Sequence, residues 1–148
     1  MHLSTKKYKI SIMHELNIPA KTERLYEAQA FAENLMEEAG FSPRMKNSIS
    51  LVIEEIFVNI AAHAYSPAEG DVLIRLGLED KNSVVLEFED KGKPYNPLEE
   101  ESPDVGMPAE QRDIGGLGIF LYRSIMDEVE YKYENGKNIL TLKKREER

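Results

Sequence analysis

Apolar residues change their spacing several times along this chain, and each change marks an element. Tyr8, Ile10 and Ile12 alternate with polar neighbours, so residues 6–14 read as a half-buried strand. Pro19 breaks the pattern, and the period lengthens. Leu25, Ala28, Phe31, Ala32, Leu35 and Met36 recur at steps of three and four, which predicts an amphipathic helix over 21–39. Gly40 stands at its C-terminal stop. Ser42 and Pro43 supply an N-cap and a first-turn proline for a second helix reaching about Tyr65. Ile49, Val52, Ile53, Ile56, Phe57 and Ile60 give that helix a broad buried stripe.

Beyond Ser66-Pro67 the period shortens. Residues 71–79 and 83–90 read as two strands joined at Asp80-Lys81-Asn82. Residues 91–113 carry prolines, acidic side chains and little periodicity, the marks of a long loop. Gly115-Gly116-Leu117-Gly118 opens a short apolar helix to about Met126. A hairpin follows, 128–134 and 137–143, turned at Asn135-Gly136. The predicted order β-α-α-β-β-loop-α-β-β puts the helices on one face of a mixed, mainly antiparallel sheet. That is a two-layer α/β sandwich. No repeat or linker interrupts it, so residues 1–148 read as one domain.

Composition narrows the chemistry. The chain has 148 residues, of which 41% are hydrophobic and 31% charged, the balance of a globular domain with a proper core. The absence of cysteine excludes disulfides, thiolate metal sites and thiol catalysis, and fits a reducing cytoplasm. No apolar run approaches the ~20 residues needed to span a bilayer, and no apolar core follows the first residues as in an export signal. A net charge of −8 argues against nucleic acid or an anionic membrane as the partner of the whole surface. A nucleotide stays open, because backbone N–H groups and a metal ion can hold phosphates locally.

Three segments carry candidate chemistry. In the second helix Glu55, Asn59 and His63 stand four residues apart and line one face. A carboxylate one turn from a carboxamide suits Mg2+ beside a hydroxyl to be activated; the same spacing suits a solvated helix edge. At the end of a strand, Asp90-Lys91-Gly92-Lys93-Pro94-Tyr95-Asn96-Pro97 offers an acceptor for an exocyclic amino group and a glycine for close backbone approach. Those residue types also make ordinary turns. Arg112-Asp113-Ile114-Gly115-Gly116-Leu117-Gly118-Ile119 exposes backbone N–H groups at a helix N-terminus, a phosphate cradle or equally a packing hinge. It lacks the Gly-Lys-Ser/Thr of a P-loop and the spacing of a dinucleotide-binding turn. A metal-dependent hydrolase built on Glu54, Glu55 and His63 would need a further ligand at metal spacing.

In order, spacing and placement the three segments match the N, G1 and G2 boxes of GHKL ATPases. The chain most closely resembles the anti-sigma-factor serine kinases, the RsbW-like family. The resemblance rests on Glu55-x-x-x-Asn59-x-x-x-His63-Ala64-Tyr65, Asp90-x-Gly92-x-Pro94-Tyr95-x-Pro97 and Gly115-Gly116-Leu117-Gly118-Ile119. Leu121 to Tyr131 and Asn138-Ile139-Leu140-Thr141-Leu142 carry it to the end of the chain. Pro94 replaces the second glycine of the usual G1 box, which marks the anti-sigma subfamily and points away from histidine kinases and gyrases.

The resemblance implies a Bergerat fold that binds ATP and Mg2+. It gives Glu55 the role of general base and Asn59 that of Mg2+ ligand. Asp90 would read the adenine amino group, with Gly92 making room beneath the base. Gly115, Gly116 and Gly118 would close on the phosphates. Thr141 would complete the adenine pocket through a water, and residues of about 96–114 would form an ATP lid, with Arg112 at its end able to reach the terminal phosphate or a partner. The implied activity is serine/threonine phosphorylation of a STAS-domain anti-sigma-factor antagonist, together with sequestration of an RNA polymerase sigma factor. No direct nucleic-acid or membrane contact is implied. Relatives commonly form homodimers, which the sequence leaves open here. The alternative is a non-catalytic module of the same fold that grips a partner when ATP orders the lid.

Overall fold

Central strand residues decide the architecture, because they are buried on both sides. The computed structural model describes residues 8–65, 69–99 and 114–146, of Ser11 and of 114–118 the backbone only. Strand β1 (Ile10–Pro19) leads into helices α1 (Leu25–Glu38) and α2 (Pro43–His63). Strands β2 (Asp71–Glu79) and β3 (Ser83–Asp90), helix α3 (Ile114–Ile125), and strands β4 (Glu128–Glu134) and β5 (Lys137–Arg145) follow. The five strands stand in the order β1-β2-β3-β5-β4, and every neighbouring pair is antiparallel. Helices packed over one face give the expected two-layer α/β sandwich.

Local chemistry explains the boundaries. Ser42 caps α2 by accepting from the Met45 N–H at 3.1 Å, and Pro43 follows at the first helical position. Asn135 and Gly136 both take positive φ, 54° and 77°, as a tight hairpin turn between β4 and β5 requires. Among the described residues no helix is long and apolar enough to cross a membrane.

The first strand departs from the expected 6–14. It runs from Ile10 to Pro19, and its register slips between Ile10, opposite Glu79, and Met13, opposite Gly77. Ile12, 67% exposed, lies beside Leu35, Glu38 and Ala39 at the C-terminal end of α1, while Leu16 and Ile18, farther along the strand, pack with the helices.

Alternation on the central strands sorts their residues to the two faces. Val84, Leu86 and Phe88 of β3 and Leu140 and Leu142 of β5 pack with the apolar stripes of the helices. Asp90 and Asn138 extend these two rows beyond the core and stand opposite one another in the register. Ser83, Val85, Glu87 and Glu89 turn to the other face, as do Ile139 and Thr141.

Candidate functional site

Where the apolar rows end, a cavity of about 430 Å³ opens, of the size that small ligands occupy. Ile56 and Ile60 of α2, Phe88 of β3 and Leu140 of β5 give it apolar walls. Tyr95, Tyr122 of α3 and Tyr131 of β4 add aromatic rings. Asn59, His63, Asp90 and Asn138 contribute polar groups. The arrangement suits a flat, apolar ring with a few hydrogen-bonding edges.

Asp90 is only 6% exposed. Its Oδ1 accepts from the Gly92 N–H at 2.8 Å and from Asn138 Nδ2 at 3.0 Å. Burial nevertheless pushes its carboxyl above the usual range, and the neighbouring Glu89 charge adds to the rise. Asn138 Nδ2 also donates to the Lys93 carbonyl at 2.8 Å, while its Oδ1 accepts from the Tyr95 N–H at 3.0 Å and the Tyr131 hydroxyl at 2.5 Å. One amide thus ties the end of β3, the chain leaving it and the closing hairpin together.

Gly92 packs against the end of α2. A Cβ there would collide with the carbonyl of Ala64, just past the end of α2, and the Lys93 N–H donates to that same oxygen at 3.0 Å. The Tyr65 hydroxyl adds a second tie, accepting from the Lys91 N–H at 2.7 Å and donating to the Asp71 carbonyl at 2.6 Å. Helix end and strand ends are therefore fixed relative to each other.

Asn59 lines the cavity, and half-buried Glu55 precedes it by one helical turn without lining the cavity itself. Burial raises the Glu55 carboxyl above the usual range, with the Glu54 charge a second cause. A base with a raised pKa is better matched to taking a hydroxyl proton near neutrality. Among the described residues no three His, Asp or Glu side chains gather as a metal site. Asn59 can offer one hard oxygen, which fits an ion such as Mg2+ that takes its other ligands from phosphates and water.

The remaining expected site residues divide. Gly115, Gly116 and Gly118 lie in the first turns of α3, which packs beside α2. Arg112 and most of the expected lid lie outside the described residues. Thr141 is not brought to the cavity. It sits on the opposite sheet face, 3% exposed, donating to Glu87 Oε2 at 3.1 Å. Asn138 occupies the β5 position that reaches Asp90, and the two-residue period from Leu142 through Leu140 is the sequence signal for it. Tyr122 and Tyr131, also absent from the expected set, carry no such local signal, since their facing depends on α3 and β4 docking.

Known proteins resemble this chain in sequence and in fold. The family described as "Histidine kinase-like ATPase domain" matches residues 18–144. The serine-protein kinase RsbW of Listeria monocytogenes is 30% identical over 146 residues, 90% of each chain. The serine-protein kinase RsbW of Bacillus cereus is 27% identical over 137 residues, 87% of this chain and 82% of that one. A crystal structure of the RsbU and RsbW domains of a Mycobacterium tuberculosis protein superposes with a TM-score of 0.65 at 15% identity. That match covers 91% of this chain and 32% of the other, and it establishes likeness of fold. By sequence, by fold and by the order of its motifs, the chain belongs to the histidine kinase-like ATPase domain family, in its RsbW-like branch.

Proposed function

We propose that the protein is an ATP-dependent serine/threonine kinase and anti-sigma factor of the cytoplasm. It phosphorylates a STAS-domain antagonist and, when the antagonist is absent or phosphorylated, sequesters a sigma factor. The observation that carries this reading is the pairing of Glu55 and Asn59 on one turn of α2 beside a cavity whose far wall holds Asp90. Relatives that share about 30% of the sequence over 90% of its length are named as serine-protein kinases, which supports the same assignment.

Bound ATP with Mg2+ would supply the transferable phosphoryl group and neutralise its charge. The chain's own contribution is then positioning and charge, as phosphoryl transfer demands. Asp90 accepts from the base amino group, and the apolar walls and tyrosine rings exclude water from the base. Asn59 would offer its side-chain oxygen to the metal. The free backbone N–H groups at Gly115 and Gly116, in the first turn of α3, serve the phosphates, Gly118 leaves room for their close approach, and Arg112 is assigned to the terminal phosphate. Glu55 takes the proton from the incoming serine or threonine hydroxyl as that oxygen bonds to the γ-phosphorus and the bond from that phosphorus to the ADP oxygen breaks, ADP leaving.

That Glu55 does not line the cavity favours a second reading, an ATP-gated binding module without catalysis. Incubation of radiolabelled Mg-ATP, the protein and its STAS-domain antagonist separates the two. Label on the antagonist, lost in Glu55→Gln, supports the kinase. An ATP-dependent complex without label supports the binding module, and the absence of both overturns the partner assignment.

A further inference from the structure

The geometry points to Asn138 as the residue that sets which nucleobase the cavity accepts. It is a positioning residue that fixes Asp90 as an acceptor and locks it to the cavity wall. This inference rests on the nucleotide-binding reading above.

Asn138 is 7% exposed and uses both halves of its amide. The Nδ2 group donates to Asp90 Oδ1 at 3.0 Å and to the Lys93 carbonyl at 2.8 Å. The Oδ1 atom accepts from the Tyr95 N–H and the Tyr131 hydroxyl. An amide has two N–H donors and two acceptor positions, so these four bonds, with a longer contact from Nδ2 to the Gly92 carbonyl at 3.4 Å, saturate it. They also fix its orientation. Turned by 180°, the amide would set oxygen against the Asp90 carboxylate and the Lys93 carbonyl, and N–H against the Tyr95 N–H.

Two consequences follow for a ligand. Among the described residues both hydrogen bonds to the Asp90 carboxylate fall on Oδ1, which leaves Oδ2 as the atom available to the cavity. Held by two donors, the carboxylate is kept as an acceptor against the burial that favours its protonation. It therefore suits a base with an exocyclic amino group and opposes one with a carbonyl at that edge, where two acceptors would face each other unpaired. The same amide holds Lys93 and Tyr95, both of which line the cavity. Recognition of the base edge and the shape of the wall are thus set by one side chain.

Asn138→Asp separates this role from mere packing. It keeps the shape and the acceptor half toward Tyr95 and Tyr131, but it replaces the donor to Asp90 with a second carboxylate. Calorimetric titration of the full chain with ADP and with GDP reads the effect. Wild type is expected to prefer ADP by about 100-fold or more. In Asn138→Asp at about pH 8, ADP affinity falls at least about tenfold while weak GDP binding is unchanged. At about pH 5.5 one of the two carboxyls takes up a proton, the donor returns, and ADP affinity recovers toward the wild-type value at that pH. Glu89, Tyr65, Tyr131, Lys93 and His63 also surround Asp90 or line the cavity, and are common to both proteins, so the wild-type titration removes their contribution.

Equal ADP affinity in the two proteins at pH 8 overturns the inference. So does a loss shared by ADP and GDP and indifferent to pH, which marks a structural role only. Melting without nucleotide shows whether the variant folds. If it does not, the smaller Asn138→Ser gives the same comparison through its ADP-to-GDP ratio. Failure of wild type to bind either nucleotide is a distinct result, which overturns the nucleotide-binding reading itself.

Discussion

Gly92 stands against Ala64 so closely that a Cβ at position 92 would lie 2.6 Å from the Ala64 carbonyl carbon. The backbone at the end of β3 is thereby seated on the end of α2, and the two sides of the cavity share one contact. Because the obstacle is backbone, Gly92→Ala cannot be absorbed by a rotamer change. It is expected to cost about 1–3 kcal/mol of stability without nucleotide, measured by urea unfolding. An unchanged midpoint would show that this contact is slack.

Glu55→Gln is expected to lower phosphotransfer by about 10²- to 10⁴-fold while leaving ADP affinity within error, since the residue does not line the cavity. The pH profile carries a second check. The base must be ionised and its pKa lies above the ordinary carboxylate value, so the rate declines on acidification through a pKa higher than that of a free glutamate. A rate limb at or below the ordinary value would assign the proton transfer elsewhere.

Asp90→Asn separates recognition from stability. Asparagine can still accept at Oδ1 from Gly92 and Asn138, but its amide N–H groups would face an amino donor of the base. ADP affinity is expected to fall by about tenfold or more by calorimetry. Stability moves the other way. The folded-state pKa of Asp90 is raised above its unfolded value, so its cost is fully present above the folded pKa. That cost is relieved as the pH falls through the folded pKa toward the unfolded one. Asp90→Asn should therefore melt at or above the wild-type temperature at neutral pH, and the gap should close in acid.

Thr141→Val tests the opposite face. The substitution removes the donor to Glu87, which is 0% exposed and also bonded to Arg75 Nη1 at 2.8 Å. The expected cost is about 1–3 kcal/mol of stability with no change in ADP affinity. A selective loss of nucleotide binding would return Thr141 to the adenine pocket.

Local rules made most of the architecture legible. Apolar spacing located both long helices, the Ser42 cap and Pro43 fixed the start of α2, and Asn135-Gly136 fixed the last turn. The ordered boxes named Glu55, Asn59 and Asp90, because spacing of four on a helix and position at a strand end are properties of the chain itself. Resemblance placed Thr141 in the pocket, yet the strand's own period of two already set Asn138, not Thr141, in the row of Leu140 and Leu142.

What the sequence by itself determined was which residues lie on a common face of each element, since backbone geometry repeats every 3.6 residues in a helix and every two in a strand. Only the tertiary structure decided which faces meet. The register of β3 against β5 brought Asn138 to Asp90, and the docking of α2 on the end of β3 explained Gly92. Those pairings join residues far apart in the chain. Their partners are chosen by the packing of the whole core, which no local window contains.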